Sequence, residues 1–204
     1  MVTVTECTTL GKSRLRFHLD NGTELVLYRG EAKQFRMREG STLSDEEEHQ
    51  LIYEVVGKRA KRRTMHLLEQ MDRTEQQLRT KLTEGRYPSE IVEQTLEYVK
   101  GFHYIDDVRY ARTYMEYRKT GRSLRQMERE LYQKGISRAD FQKASEEMEA
   151  PDEEQQIRQW IMKKRFDAET ADRQERDRLI RFFLRRGYGM AVIQRVLRGS
   201  EEIE

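Results

Sequence analysis

Cysteine and proline are nearly missing from this chain of 204 residues, and its apolar runs are short. Cys7 is the only cysteine, which excludes a disulfide framework and a zinc site built on cysteines. Pro88 and Pro151 are the only prolines, and both lie where we expect a helix to begin. No run has the length of a membrane span and the N-terminus lacks a secretory pattern, so we expect a soluble, cytoplasmic protein.

Patterns typical of catalysis are equally scarce. The four histidines are scattered, and no two have the spacing of metal ligands. The chain has no glycine-rich phosphate loop, and no serine or cysteine in a nucleophile-elbow context. Asp106 and Asp107 form the nearest thing to a carboxylate pair, and N-capping of a helix explains them better than catalysis or metal binding. We therefore expect no enzymatic activity, no cofactor and no metal.

Charge is abundant and segregated along the chain. Charged residues make up 37% and hydrophobic residues only 36%, which favours thin helix–helix seams over one thick core. Residues 58–135 carry 18 Lys/Arg against 12 Asp/Glu, and residues 173–198 carry 8 against 2. Residues 146–154 form an acidic block between them. Such blocks either steer a partner of opposite charge or are solvated helix faces.

The N-terminal region has the pattern of a β-hairpin. Residues 14–19 alternate polar and apolar, and a second apolar segment follows at 25–28. Asn21-Gly22 between them supplies the positive φ angles of a tight turn. Residues 2–7 add a possible third strand.

From Ser44 onward the pattern changes to helix. Ser44 and Glu47 have the capping-box spacing, as do Thr74 with Gln77 and Ser123 with Gln126. The predicted helices are 45–57, 58–71, 74–84, 89–100, 106–119, 123–134, 137–149, 152–165, 172–186 and 189–198.

One short pattern occurs three times in this helical region. Two apolar residues four apart precede a glycine near the helix end, and an apolar residue then folds back onto the helix. The copies begin at Leu78, Met127 and Leu179, offset by 49 (78 to 127) and 52 residues (127 to 179). Gly85, Gly135 and Gly187 are expected to permit a left-handed turn. A period of this length predicts a helical array whose units pack against their neighbours.

The basic residues also follow helical spacing. Arg122, Arg125 and Arg129 are predicted to form one stripe, and Arg178, Arg181 and Arg185 a second stripe opposite Phe182 and Phe183. Tyr110, Tyr114 and Tyr117 run along the preceding helix. Arginine with interleaved tyrosine suits phosphate contact and base stacking, and suits a polar protein interface equally well. The residues alone do not decide between a nucleic-acid surface and a protein interface.

The run from Gly101 to Arg112, with Ile105-Asp106-Asp107 at its centre, resembles the middle motif of the RecX family of recombinase regulators. Lys134-Gly135-Ile136 is similar to its continuation, and residues 182–188 resemble the third repeat of that family. The resemblance covers essentially the whole chain. Ser123 and Leu124 depart from it, since the family often has a glycine and a proline there.

The resemblance implies a regulator that binds the RecA filament on single-stranded DNA and restrains its ATPase and strand exchange, in recombination and SOS control. It implies no catalysis, a monomer, no membrane contact, and weak or indirect contact with DNA. A helical module that acts directly on nucleic acid is the alternative. The predicted partner-binding residues are Arg109, Arg112, Arg118, Arg122, Arg125, Arg129, Arg178, Arg181 and Arg185.

The predicted fold is all-α: a tandem array of three three-helix repeats behind a small N-terminal β-hairpin. The predicted segments are a hairpin extension at 1–43, a connecting helix at 44–57, and repeats at 58–101, 102–150 and 151–204.

Overall fold

The structure of the protein, a computed structural model, describes residues 1–167 and 170–199. The chain divides into two compact units, Met1–Asp106 and a second unit that begins at Asp107. Part of the predicted third repeat, at 168–169 and 200–204, lies outside the described residues.

A four-stranded antiparallel sheet opens the first unit. Its strands are β1 (Val2–Leu10), β2 (Arg14–Leu19), β3 (Glu24–Tyr28) and β4 (Thr42–Leu43), in the order β3-β2-β1-β4. Phe17 pairs with Leu25 across the β2–β3 hairpin, and the turn holds Gly22 at a φ of +84°, which glycine adopts without strain. The predicted hairpin and third strand are confirmed. Strand β4 is not apparent in the sequence, because two residues are too few to show alternation.

A continuous helical segment connects the sheet to the first repeat. After α1 (Arg29–Gln34), helix α2 (Asp45–His49) continues as a π-helical segment (Gln50–Gly57) and then as α3 (Lys58–Gln70). Ser44 caps α2 in the predicted capping box, accepting from the Glu47 backbone N–H at 3.1 Å. The sequence pattern predicts a helix end between residues 57 and 58. The backbone instead stays helical there, with Gly57 at a φ of −63° and a ψ of −46°.

The sheet and the first repeat share one apolar core. Helix α3 packs with α4 (Glu75–Glu84) and α5 (Ser89–Gly101) to complete the repeat. Phe17 of the sheet belongs to the same cluster as Leu51, Leu78 and Leu96, and each of these four side chains is fully buried. The sheet therefore leans on the helices, as an isolated hairpin must in water.

The second unit contains the other two repeats. The second repeat comprises α6 (Asp107–Arg118), α7 (Leu124–Gln133) and α8 (Arg138–Glu146). The third comprises α9 (Glu153–Lys164), α10 (Arg173–Arg185) and α11 (Met190–Gly199). Each has its own small core, centred on Met127 and Leu131 in the second repeat and on Phe183 and Ile193 in the third. The predicted arrangement of three three-helix repeats behind a small sheet is confirmed, while the exact domain boundaries stay predictions.

The repeated glycines end their helices in two different ways. Gly135 and Gly187 have φ angles of +89° and +87°, as the repeat pattern predicts. Gly85 does not: its φ is −72°, and the left-handed residue is Arg86, with a φ of +58°. Gly85 is needed for space instead, since a Cβ there would lie 2.9 Å from the ring of Tyr87.

Candidate partner-binding surfaces of the helical repeats

The second and third repeats meet at a polar junction around the turn after α10. Ser123, which caps α7, donates its hydroxyl hydrogen to the Arg186 carbonyl at 2.6 Å. A Cβ added to Gly187 would lie 2.8 Å from this hydroxyl oxygen and 3.2 Å from the Gln126 backbone nitrogen. Only glycine therefore fits at position 187, because both its φ angle and the close approach of α7 exclude a side chain.

A buried glutamine forms the other half of this junction. Gln156 on α9 is 4% exposed, and its amide donates to the Lys119 carbonyl at 2.6 Å. It also accepts a hydrogen bond from the buried hydroxyl of Tyr188 at 2.8 Å. Burial raises the pKa of Tyr188, so this hydroxyl stays protonated and keeps donating. Gln156 thus links the end of α6, in the second repeat, to the core of the third repeat.

The first predicted arginine stripe lies beside this junction. Arg122 precedes α7, so it is not on the helix as predicted, and its guanidinium lies 3.5 Å from a carboxylate oxygen of Glu130. Arg129 donates to the Arg185 carbonyl at 3.1 Å, where it satisfies the last turn of α10. The Cβ of Arg125 would lie 3.1 Å from a Cβ on Gly187. This group therefore has an internal structural role that spacing alone does not reveal.

The three predicted arginines on α6 are all exposed. Arg112 forms an ion pair of 2.5 Å with Glu147 near the end of α8. Arg118 lies over the Tyr114 ring at 5.8 Å from its centroid, and Arg109 is exposed near the start of the helix. An exposed ion pair of this kind contributes only about 0–1 kcal/mol, so Arg112 is available to a competing partner.

The tyrosine row on α6 is divided between core and surface. Tyr114 donates its hydroxyl hydrogen to a Glu130 carboxylate, and burial followed by this bond raises its pKa to about 12. Tyr110 packs partly into the second core, whereas Tyr117 is 82% exposed. Of the three rings, only that of Tyr117 is largely exposed.

The second predicted stripe faces a cleft beside α10. Arg178 and Arg185 line this cleft together with Lys164 and Arg165, which lie at the end of α9. Phe182 lines it too, so this ring lies on the same side of α10 as the two arginines and not opposite them as predicted. Phe183 does face the core, where it is fully buried. We call this group of four cations and one ring the α10 cleft.

The cations of the α10 cleft are largely uncompensated. Within the described residues, neither Arg178 nor Arg185 forms an ion pair through its guanidinium. Two carboxylates also line it: Glu175 takes part in the capping box with Asp172, and Asp167 accepts from the Thr170 hydroxyl at 2.9 Å, so the cations outnumber the carboxylates by four to two. Arg181 lies outside the lining, and its guanidinium donates to the Asp177 carbonyl of its own helix at 3.1 Å. The α10 cleft therefore presents positive charge beside an aromatic ring.

Next to the α10 cleft, cations stack on aromatic rings. The Arg186 guanidinium lies 3.7 Å from the Phe182 ring centroid and 4.9 Å from that of Trp160. Lys164 lies 4.1 Å from the Phe182 centroid, and Lys163 lies 5.5 Å from that of Trp160. This group is not among the predicted sites, although Trp160 is the only tryptophan in the sequence and two lysines follow it within four residues.

Acidic residues of the block at 146–154 bond to other residues of the second unit. Its partners are Arg112 for Glu147, the Gln155 backbone N–H for Asp152, the Leu124 backbone N–H for Glu153, and Arg195 for Glu154. These contacts favour the interpretation that the block stabilises the repeats over one in which it steers a partner.

Two kinds of site have no representative in the described part of the chain. No cluster of three or more His, Cys, Asp or Glu residues there is arranged to hold a metal ion. No described helix combines the length and apolar character needed to cross a membrane.

Comparison with protein families matches three consecutive segments of the chain to RecX domains. Residues 60–98 match the first three-helix domain of RecX, residues 106–144 the second, and residues 152–197 the third. Each matched segment covers one helical repeat described above.

Individual relatives give the same result. The chain is 33% identical over 150 residues to "Regulatory protein RecX" of Cronobacter sakazakii, which covers 68% of this chain and 90% of the relative. It is 25% identical over 208 residues to the Clostridium acetobutylicum protein of that name, covering 97% and 94%. A crystal structure of regulatory protein RecX matches with a TM-score of 0.66 at 21% identity, over 95% of this chain and 98% of that one. A RecX structure from Lactobacillus salivarius matches with a TM-score of 0.61 at 14% identity, over 72% and 98%.

Proposed function

The chain belongs to the RecX family of regulatory proteins, and from this premise we propose that it binds RecA filaments on single-stranded DNA and inhibits their ATPase and strand exchange. It does so in the cytoplasm, as a monomer without catalytic activity of its own, in recombination and SOS control. It contacts DNA weakly or indirectly.

The α10 cleft is the observation that carries this proposal. The cleft has an excess of positive charge around Phe182, on helices whose other faces build the core; its cations are Arg178, Arg185, Lys164 and Arg165. Arginine and an aromatic ring are typical of the residues that contribute most at protein interfaces. A repeat protein can place several such surfaces along a polymer, and simultaneous contacts raise the apparent affinity steeply.

The nine predicted arginines divide into two roles under this proposal. Arg178, Arg181, Arg185, Arg109, Arg112 and Arg118 contact the partner. Arg122, Arg125 and Arg129 set the junction between the repeats, and so act on partner binding by fixing the direction of α10. Their proximity to the Arg186–Gly187 turn supports this division.

RecA ATPase activity on single-stranded DNA, titrated with the full chain, tests the proposal. We expect the ATPase rate to fall with rising concentration of the chain, at salt concentrations where the chain alone leaves the DNA unbound. An ATPase rate that stays constant while the chain binds neither RecA nor the filament would contradict the proposal.

A direct role on nucleic acid is the second candidate, and the cations stacked on Trp160 and Phe182 favour it. Both rings are half-buried, and aromatic rings beside cations are typical of surfaces that stack the bases of single strands. Tight binding of the chain to bare DNA, with an affinity that falls steeply with salt, would favour this candidate over a filament regulator.

A further inference from the structure

A second basic cleft lies in the first unit, between the sheet and the first repeat. It has a cavity volume of about 400 Å³. Strands β2 and β3 contribute Arg14 and Tyr28, helix α3 contributes Arg59 and Arg63, and Lys81 and Tyr87 come from α4 and the loop after it. We call this group the sheet cleft. Part of it comes from the basic segment 58–63, for which the proposed function has no use.

Arg59 forms the fixed floor of the sheet cleft. Its guanidinium donates to the Val26 carbonyl at 2.6 Å and forms an ion pair with Glu31. It also lies 5.2 Å from the Tyr28 ring centroid and 5.5 Å from that of Tyr87. These contacts join the helix to the sheet, so Arg59 holds the shape of the cleft.

The cations at the rim have far fewer partners. Arg14 and Arg63 are both exposed, and neither has an ion-pair partner among the residues that the structure describes. Lys81 pairs with Glu84 at 2.8 Å, and Glu84 is the only acidic residue among those that line the cleft. Three positive side chains therefore point into one small volume beside a single carboxylate.

The geometry points to a ligand with phosphate groups: we propose that the sheet cleft is an anion site for adjacent phosphates, on a nucleic acid strand or on a free polyphosphate. One carboxylate would be satisfied by a single arginine fork, whereas two exposed arginines and a lysine match the several oxygens and charges of linked phosphates. Tyr87 supports this assignment, because burial raises the pKa of its hydroxyl and keeps it a hydrogen-bond donor.

The shape of the cleft depends on Gly85. A Cβ at this position would lie 2.9 Å from Cε2 of Tyr87, and 3.1 Å from the Leu82 carbonyl oxygen. Tyr87 therefore packs directly against the backbone at the end of α4, which leaves the cleft open above its ring.

Arg63 and its neighbour Arg62 provide a matched pair for a test. Both are exposed on α3 and lack an ion-pair partner within the described residues, but only Arg63 lines the sheet cleft. The full-length chain and its Arg63→Gln, Arg14→Gln and Arg62→Gln variants are titrated at low salt, without RecA. The probes are a fluorescent oligothymidylate, read by anisotropy, and inorganic tripolyphosphate, read by calorimetry.

We expect Arg63→Gln and Arg14→Gln each to weaken binding about tenfold, because each removes a charge-assisted hydrogen bond to phosphate. Arg62→Gln, with the same change of charge, should weaken it no more than about twofold, the effect of an exposed charge. Binding of both probes identifies the phosphates as the feature that the cleft recognises. Binding of the oligonucleotide alone identifies a nucleic acid strand as the ligand, and binding of tripolyphosphate alone identifies a free polyphosphate.

Two results would overturn the proposal: that neither probe binds the unmodified chain, or that Arg62→Gln weakens binding as much as Arg63→Gln. Thermal unfolding of each variant checks that the first unit stays folded. Since RecA is absent, a negative result leaves the proposed filament regulation untouched.

Discussion

The two units of this protein hold their parts together by different means. In the first, sheet and helical repeat share one apolar cluster that runs from Val2 to Ile105. In the second, each repeat closes its own small core, and the two repeats are joined by hydrogen bonds around Gly187 and Gln156. Apolar burial is non-directional, whereas hydrogen bonds fix distance and angle. The second unit thus gives α10 and its cleft a defined direction at the cost of a thinner core.

The largest expected effect comes from removing one buried ring in each unit. Phe17→Ala and Phe183→Ala should each destabilise by about 3–5 kcal/mol, since both rings are fully buried. Hydrogen exchange should then distinguish the units. Phe17→Ala should speed exchange in the sheet and in α5 alike, because they share a core. Phe183→Ala should act mainly on α9–α11, and equal acceleration in α6–α8 would show that the second unit has one core after all.

Gly187→Ala should break the junction directly. It places a side chain at a φ of +87° and a Cβ 2.8 Å from the Ser123 hydroxyl, so we expect a loss of about 2–4 kcal/mol in unfolding free energy. Gly22→Ala is the matched control, with a φ of +84° and no atom within 4 Å of the added Cβ. Its loss should be only about 1–2 kcal/mol. Denaturant unfolding measures both, and equal losses would mean that α7 does not pack closely on the turn.

Gln156→Ala should weaken the junction by less. It leaves the Tyr188 hydroxyl and the Lys119 carbonyl without their partner, at a cost of about 1–3 kcal/mol. Adding Tyr188→Phe should restore part of this loss, since the unpaired hydroxyl is then gone. A double-mutant cycle on chemical unfolding measures the coupling, and strictly additive losses would argue against a hydrogen bond between the two side chains.

The smallest effect concerns Tyr114, whose hydroxyl bonds to Glu130 inside the second repeat. Its pKa is raised to about 12, so between pH 10 and that value the unfolded chain binds fewer protons than the folded one. Stability of the second unit should therefore fall as the pH rises through this range. Ultraviolet difference spectra of the chain and its Tyr114→Phe variant should place the ionisation of Tyr114 near pH 12. An ionisation near pH 10 would contradict the partly buried hydrogen bond to Glu130.

The sequence predicts the helices and strands of the fold well, but it predicts poorly which of them contact each other. The starts of helices are predictable because the caps Ser44 and Thr74 bond to residues only three positions further along the chain. The two α7 arginines look like an open stripe for the opposite reason: their partners, the Arg185 carbonyl and Gly187, lie more than 50 residues away. Spacing along one helix cannot show what another helix brings against it. For that reason spacing alone places Phe182 on the wrong side of α10 and does not indicate the cations that lie against the Trp160 ring.

Binding of the fluorescently labelled chain to RecA filaments on single-stranded DNA tests the central claim most directly. The comparison is between an Arg178→Ala/Arg185→Ala variant and an Arg158→Ala/Arg173→Ala control, whose arginines are exposed on α9 and α10 outside the α10 cleft. Loss of two charge-assisted contacts should weaken filament binding by at least about tenfold in the first variant and by no more than about twofold in the control. Unchanged filament binding in the first variant, or an equal loss in both, would contradict the assignment of the α10 cleft as the RecA-binding surface.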